Sequence, residues 1–330
     1  MSQSVTAKPS ISLALSSSGM FSPNRIQATA VRMLIVVMAL LASIFVEGFA
    51  SLQNLSSILF VTVSVGVVAA GLALVTISGN LFMLSISATA SISTIVFASV
   101  LDFGVIPAIL TTLFVGVILG FLQGGAVGVL KTNPIITSIA ASSIIMGLGA
   151  WYSGGRTITS DVKVEWLGVG HVLPGIPNQI FILLAVLIAA EFFLSRMRLG
   201  RELQLIGINS NTAKLSGLRI QRATIVAYVI AALTAALSGV LIGAQSSQGN
   251  LSLGAGLDFS AIAAVLVGGV AIAGGHGRIY DAVCGALFLA IIGNILLLKG
   301  FSLDIQLMVK GAVVVASVML GAVLTRKRKK

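Results

Sequence analysis

Long apolar stretches, separated by short polar breaks, make up most of this chain. A helix needs about 20 mainly apolar residues to cross a bilayer, and the chain has ten stretches near or above that length. The pattern therefore predicts an all-α polytopic membrane protein with about ten transmembrane helices. The eighth stretch is short and rich in glycine, so it is the weakest candidate for one straight helix. The predicted spans are 30–50, 55–77, 81–101, 104–130, 135–153, 178–195, 223–247, 258–274, 279–298 and 304–324.

One polar, basic segment, residues 196–222, interrupts this pattern between the sixth and seventh predicted spans. Its charged side chains cannot lie in lipid without a large cost, so the segment must protrude from one face of the membrane. It is too short to fold alone, and its middle, residues 208–218, predicts a small helix. A short helix held on such a loop is suited to receive mechanical force from a soluble partner.

The composition supports insertion in the membrane and indicates an orientation. Hydrophobic residues make up 57% of the chain and charged residues 9%, against about 25% charged residues in soluble domains. We attribute the net charge of +11 to cytoplasmic loops, which carry an excess of Lys and Arg, and not to binding of nucleic acid. The basic segment 196–222 and the basic tail 326–330 are then both cytoplasmic, and the even number of spans between them allows this.

This orientation divides the chain into three parts. Residues 1–29 are predicted to form a flexible cytoplasmic tail, residues 30–325 a single transmembrane domain, and residues 326–330 a basic cytoplasmic tail. The protein is therefore expected to cross the cytoplasmic membrane several times, with both termini inside. The segment 154–177 is expected outside, as a cap or as a docking surface.

The sequence has no motif for catalysis or for ATP binding. It lacks the phosphate-binding pattern G-x-x-x-x-G-K-[ST], so any ATP that powers this protein must bind to another chain. No nucleophile and base have catalytic spacing, and the two histidines have no neighbours with metal-ligand spacing. The one cysteine, Cys284, is interpreted as a packing residue. We expect a transport protein that is not an enzyme, with no cofactor and no metal.

Polar side chains in or beside the spans are candidates for a translocation path. A neutral, sugar-like solute needs hydroxyl and amide partners that do not trap it, and for each residue the alternative role is a hydrogen bond between helices. Acidic residues at span ends are also candidates. Lys310, the most deeply placed cation, is interpreted as reaching outward to the membrane surface. The candidates at this point are Asn80, Gln123, Asn133, Asp258 and Asn294.

Four glycines recur every four residues in the fourth predicted span. Gly116, Gly120, Gly124 and Gly128 would lie along one face of a helix. Small residues allow helix backbones to approach closely in membranes. This stripe therefore predicts close packing against a neighbouring helix, in preference to a pore lining.

Two segments carry a resemblance to a known family. Residues 198–223 (RLGRELQLIGINSNTAKLSGLRIQRA) and 256–277 (GLDFSAIAAVLVGGVAIAGGHG) resemble the permease subunits of ABC importers for monosaccharides, of the ribose, xylose and arabinose type. Shorter similarities lie at residues 133–137 and 306–311, and the resemblance covers roughly residues 30–325. The matching residues of the first segment are Gly200, Arg201, Ile206, Gly207, Asn209, Ala213, Ser216 and Gly217.

The resemblance implies partners and a mechanism. In such importers two permease subunits form the pore, as a homodimer or with a paralogue, two ATP-binding cassette subunits dock beneath, and an extracytoplasmic solute-binding protein delivers the solute. The helix around residues 209–218 would insert into the ATPase, with Gly207 and Gly217 as its turn and cap. The residues implied in ATPase coupling are Gly207, Asn209, Ala213, Lys214, Ser216 and Gly217.

The resemblance also implies an inverted repeat, because such folds are built from two inverted halves. Spans 2–5 and 7–10 would be the pair. This chain differs from the family near the presumed path, with Ser260 where Asp is common and Gln123 where Asn is usual, so Ser260 joins the candidates. We expect a permease for a small polar solute, a monosaccharide. The alternative is a secondary carrier or channel that works without an ATPase subunit.

Overall fold

The computed structural model describes residues 23–162 and 164–327. The expectations for residues 1–22 and 328–330 lie outside this part of the chain. The first helix begins at Pro23 and not at residue 30. The helices are α1 (Pro23–Phe45), α2 (Leu52–Ile77), α3 (Ile86–Val100), α4 (Val105–Gly128), α5 (Pro134–Ser153), α6 (Glu165–Gly168), α7 (Gln179–Arg196), α8 (Arg198–Ile208), α9 (Ser210–Leu215), α10 (Ile220–Ser246), α11 (Leu257–Val267), α12 (Ile279–Leu298) and α13 (Leu303–Lys327), with a 3-10 turn at Leu101–Phe103.

Four short strands accompany the helices. Strand β1 (Ile158–Thr159) pairs antiparallel with β4 (Gln248–Gly249). Strand β2 (His171–Leu173) pairs antiparallel with β3 (Ile176–Pro177). Three of these strands belong to the segment 154–177, so this segment has a structure of its own and is joined by β4 to the chain that follows α10.

Eight helices of the described residues are long and apolar enough to cross a membrane, namely α1 to α5, α7, α10 and α12. Eight of the ten predicted spans are thus matched by helices of sufficient length. Helix α11, in the eighth predicted span, has 11 residues and is about 16 Å long, roughly half of a bilayer core of about 30 Å. The tenth predicted span lies in α13, which has 25 residues but whose side chains are described only to Met319.

Glycines are the physical reason why α11 ends early. A Cβ on Gly268 would lie 2.2 Å from the carbonyl oxygen of Asp281, so the α11 end packs directly on the start of α12. The loop that follows turns at Gly269, Gly274 and Gly275, which all have positive φ. Glycine adopts this conformation without steric cost, so an apolar run that predicts one long helix is divided here.

Helices α2 and α10 pack against each other at the centre of the bundle and are largely buried. The helices that surround α2 and those that surround α10 are arranged in a corresponding way. Helix α2 packs on α11 and α12, as α10 packs on α3 and α4. Helix α11 in turn contacts α12 and α13, as α3 contacts α4 and α5.

The glycine stripe of α4 packs against α10, as predicted. A Cβ on Gly116 would lie 2.6 Å from the Ala236 Cβ, and one on Gly120 would lie 2.7 Å from the Val229 Cα. Gly124 and Gly128 meet the backbone of α10 at similarly short distances. The two helices therefore touch backbone to backbone over most of their length.

The two ends of the bundle carry different polar segments. At one end, the segment 154–177 covers the start of α2 and the end of α10: His171 Nε2 lies 3.2 Å from Ser56 Oγ, and a Cβ on Gly168 would lie 2.3 Å from the Ala244 carbonyl oxygen. The segment 196–222 lies at the opposite end, where α2 ends and α10 begins.

Candidate coupling surface and translocation path

The segment 196–222 forms two helices, α8 and α9, which meet at Asn209. The Asn209 side-chain oxygen accepts a hydrogen bond from the Thr212 backbone N–H at 3.0 Å and caps α9, as Asn does at helix starts. Gly217, with φ +77°, lies in the turn after α9. The predicted small helix is thus observed as Ser210–Leu215. Helix α8 was missed, because it is polar on average and buries only the narrow face of Gly200, Leu203 and Ile206.

Four glycines join α8 to the membrane helices in what we call the glycine junction: Gly79, Gly207, Gly274 and Gly275. The Gly275 N–H donates a hydrogen bond to the Ile77 carbonyl oxygen at 2.8 Å. A Cβ on Gly207 would lie 2.0 Å from that oxygen and 2.4 Å from the Gly275 nitrogen, and a Cβ on Gly274 would lie 2.7 Å from the Gly79 Cα. The junction therefore fixes α8 to the end of α2 and to the loop between α11 and α12.

The glycine junction corrects the role expected for Gly207. This residue lies inside α8 and not in a turn before α9, and it is needed for close backbone contact. No contact with α8 was predicted from the sequence for the other three glycines of the junction. The sequence signal for this junction was the pair Gly274-Gly275, but the residues that this pair contacts lie far away along the chain.

Helix α9 projects beyond the glycine junction. Its Ala213 is buried and seats the helix, whereas Leu215 is 90% exposed. Lys214, Ser216 and Gly217 are exposed beside it. Leu215 is thus an exposed apolar side chain at the tip of a polar segment.

Helices α3 and α11 begin close together inside the bundle. The Asp258 backbone N–H, in the first turn of α11, donates to Ser87 Oγ in the first turn of α3 at 3.4 Å. A Cβ on Gly254, just before α11, would lie 2.7 Å from the Ser87 carbonyl oxygen. The N-terminal, partly positive ends of two short helices therefore meet between the two ends of the bundle.

Gln123 of α4 is buried beside the start of α3. The Ser85 hydroxyl donates to Gln123 Oε1 at 2.5 Å, while Gln123 Nε2 has no hydrogen-bond partner among the described residues. Ser91 Oγ, further along α3, is also buried and has no hydrogen-bond partner among the described residues. Leaving a buried polar group unpaired costs about 1–3 kcal/mol, which a hydrogen-bonding ligand would relieve.

The remaining path candidates lie elsewhere. Asn80 lies next to the glycine junction, where its Nδ2 donates to Ser78 Oγ at 2.9 Å. Asn133 caps α5 by accepting from the Ile135 backbone N–H at 2.9 Å. Asn294 forms two hydrogen bonds with Asn54, at 2.9 and 2.6 Å, which join α12 to α2. Among the described residues, the start of α3 thus brings together Gln123 and Asp258 but not these three.

Charged side chains secure the loop between α11 and α12. Arg32 of α1 forms an ion pair with Asp281 at the start of α12, and Glu191 of α7 accepts a hydrogen bond from the Ile279 backbone N–H at 2.8 Å. A hydrogen bond from Arg278 to the Tyr280 hydroxyl raises the pKa of Arg278 above its ordinary value. No cluster of metal-binding side chains occurs in the described ranges.

This bundle, with a helical hairpin fixed to one end, has the architecture of a membrane-embedded permease. A family model described as "Branched-chain amino acid transport system / permease component" matches residues 25–318. The chain belongs to this family, and it is a non-catalytic permease subunit of an ABC transporter that crosses the membrane several times.

Three named relatives match most of the chain. The chain is 29% identical over 293 residues to the "Ribose import permease protein RbsC" of Escherichia coli K12, a match that covers 87% of this chain and 91% of the relative. It is 30% identical over 305 residues to the "Probable ABC transporter permease protein YphD" of that strain (90% and 91%). It is 29% identical over 300 residues to its "L-arabinose transport system permease protein AraH" (87% and 88%). No solved structure is significantly similar to the chain.

Proposed function

We propose that this chain is the membrane-spanning subunit of an ATP-driven importer for a small polar solute, a monosaccharide. The observation that carries the proposal is the hairpin of α8 and α9. It presents the 90%-exposed Leu215 to a partner, while its base is held by the backbone contacts of the glycine junction. Force applied to α9 by an ATP-binding cassette subunit would therefore pass directly to α2 and to the α11–α12 loop.

Each residue predicted for ATPase coupling has a role in this arrangement. Gly207 transmits movement through the glycine junction, and Ala213 seats α9 on the bundle. Asn209 and Gly217 shape the two ends of α9. Lys214 and Ser216, which are exposed beside Leu215, would contact the ATPase.

The matching order of helix contacts supports an inverted repeat. If α2 to α5 correspond to α10 to α13, then the packing of α2 on α12 corresponds to that of α10 on α4, and the contact of α3 with α5 corresponds to that of α11 with α13. Helices α3 and α11 would be equivalent, and each begins after an irregular segment. Repeats of this kind place the solute path at discontinuous helices.

The path is proposed to run past the starts of α3 and α11. Gln123 and Asp258 would act there, and Asn80 would lie at the end near the glycine junction, whereas Ser260 lines a cavity between α2, α11, α12 and α13. The unpaired Gln123 Nε2 and Ser91 Oγ are neutral groups that can pair with sugar hydroxyls. The relatives named for ribose and L-arabinose support a monosaccharide, whereas the family description makes a branched-chain amino acid the second candidate.

The same arrangement supports a proposal for the topology and the partners. The segment 196–222 and both termini would be cytoplasmic, and the segment 154–177 would face outward. The ion pair of Arg32 with Asp281 supports this, because it places the first half of α1 near the end of the bundle that carries α8. A solute-binding protein would dock on the outer face, and a second permease subunit would complete the pore in the cytoplasmic membrane.

The test uses Leu215→Ser in proteoliposomes that contain the full transporter with its ATPase subunit and binding protein. Leu215 makes no buried contact, so thermal unfolding should be unchanged. ATP-dependent uptake of labelled pentoses should fall at least about tenfold, the loss expected when a contact hot spot is removed. The matched control is Leu130→Ser, which alters an exposed leucine (73%) in the loop between α4 and α5, outside the hairpin of α8 and α9.

Two outcomes would contradict the proposal. Normal uptake by Leu215→Ser would show that α9 is not the coupling surface. Uptake by the wild type that needs an ion gradient and not ATP would identify a secondary carrier. A panel that includes leucine and valine beside the pentoses decides between the two classes of solute.

A further inference from the structure

A cavity of about 530 Å³ lies between α2, α11, α12 and α13. Its wall is apolar except for two side chains, Ser260 and Lys310. It opens to the surroundings beside Phe259 and Leu307, which are exposed by 71% and 58%. The cavity is therefore a side groove of the bundle that can be entered from the membrane.

Lys310 brings a positive charge into this groove. Its ammonium has no hydrogen bond or ion pair with any described residue. The end of its side chain rests on α12 at Gly293, where a Cβ would lie 3.0 Å from Lys310 Cε and 3.1 Å from Nζ. Lys310 lies about 10 Å along α13 from Leu303. A charge at such a depth is costly unless it is paired, so an anionic partner is expected.

We propose that this groove binds an anionic phospholipid, with its phosphate on the Lys310 ammonium and one acyl chain along Val61, Val65 and Leu289. The phosphate supplies the missing counter-charge, and the acyl chain matches the apolar wall. A neutral sugar would find only two polar side chains here, too few for its hydroxyls. This inference depends on insertion in the membrane and not on the identity of the transported solute.

A second protein chain fits the groove less well. A ten-residue stretch of helix is about 15 Å long and about 10 Å across. A helix of this width is rigid, whereas a flexible acyl chain can follow an irregular apolar groove. A second copy of the permease would also need to place an acid against Lys310.

The experiment measures the lipids that remain on the purified chain by native mass spectrometry, after reconstitution with equal amounts of phosphatidylglycerol and phosphatidylcholine. The wild type should retain more phosphatidylglycerol than phosphatidylcholine. Lys310→Met should lower this retention at least about fivefold, the effect of losing about 1 kcal/mol for one cation near a lipid surface. Lys310→Arg should keep it, and so should the matched control Lys299→Met, which alters a lysine outside the groove.

A second variant and a second measurement separate lipid binding from folding. Ala263→Phe fills the groove without changing its charge and should also release the lipid. Phosphatidylglycerol, but not phosphatidylcholine, should raise the unfolding temperature of the wild type. Equal retention by Lys310→Met and the wild type would overturn the proposal. So would efficient disulfide linkage of two Leu307→Cys chains without bound lipid, which would assign the groove to a second copy.

Discussion

Replacing Gly207 by alanine tests how α8 is attached to the membrane helices. The new Cβ would lie 2.0 Å from the Ile77 carbonyl oxygen and 2.4 Å from the Gly275 nitrogen, whereas Cβ contacts shorter than 3.0 Å essentially never occur. One of the three segments must therefore move by about 1 Å or more. Such a movement would break the 2.8 Å hydrogen bond from Gly275 N–H to the Ile77 oxygen.

The cost of Gly207→Ala can be worked from these contacts. A broken buried hydrogen bond costs about 1–3 kcal/mol, and overpacking costs about 1–3 kcal/mol. Because one movement relieves both, we expect a loss of about 2–4 kcal/mol in the free energy of unfolding. That corresponds to a fall in Tm on the order of 5 °C or more on the scale of soluble domains. The exposed surface around Leu215 is unchanged, so the ATPase subunit should still bind.

The assay compares Tm, ATPase binding and ATP-driven uptake in the same reconstituted transporter. Gly125→Ala is the matched control, because Gly125 is also a helical glycine but has no atom within 4 Å of its added Cβ. We expect Gly207→Ala to bind the ATPase and to lose most of its uptake, while Gly125→Ala behaves as the wild type. A Gly207→Ala chain with normal Tm and uptake would refute the tight junction. A lower Tm with normal uptake would show that the junction stabilises the fold but is not needed for coupling.

Three further predictions follow from the packing. Gly120→Val should prevent α4 from packing on α10, because even a Cβ would lie 2.7 Å from the α10 backbone. The measurement is the yield of folded protein in membranes, which should fall for this variant; an unchanged yield would contradict the close packing of α4 on α10. Asn294→Leu should lower stability by about 1–2 kcal/mol in thermal unfolding. Adding Asn54→Leu should restore part of this loss, since no side-chain amide is then left unpaired, although the Phe49 carbonyl oxygen loses its bond from Asn54 Nδ2. Gln123→Met should reduce uptake more than Ser85→Ala, because both remove their shared hydrogen bond but only the first removes the free Nε2; equal effects would exclude a direct role in the path.

The membrane-crossing helices were predictable because the bilayer imposes their length. The predicted spans 135–153 and 279–298 differ from α5 and α12 by at most one residue. The stripe in α4 was also predictable, since a four-residue spacing places glycines on one helix face whatever the partner. These predictions depend only on local periodicity and on the solvent.

The features of the candidate site that were missed depend on contacts between distant parts of the chain. Gly274 and Gly275 become informative only when Ile77 and Gly207 are placed beside them. Asn294 was a candidate for the path by its polarity alone, and its pairing with Asn54 follows from the packing of α12 on α2. Polarity along the sequence thus identifies residues that need a partner, but not which partner each one has.

The short length of α11 gives the proposed coupling a mechanical basis. A helix that crosses the whole bilayer meets both surfaces, so a push at one end is resisted at the other. Helix α11 is instead held at one end by the packing of Gly268 on Asp281, next to the loop that reaches the glycine junction. At its other end, inside the bundle, the described hydrogen bond to α3 is long, at 3.4 Å from the Asp258 N–H to Ser87 Oγ. A movement of α8 that displaces this loop would therefore shift α11 most easily against α3, where the candidate path residues lie.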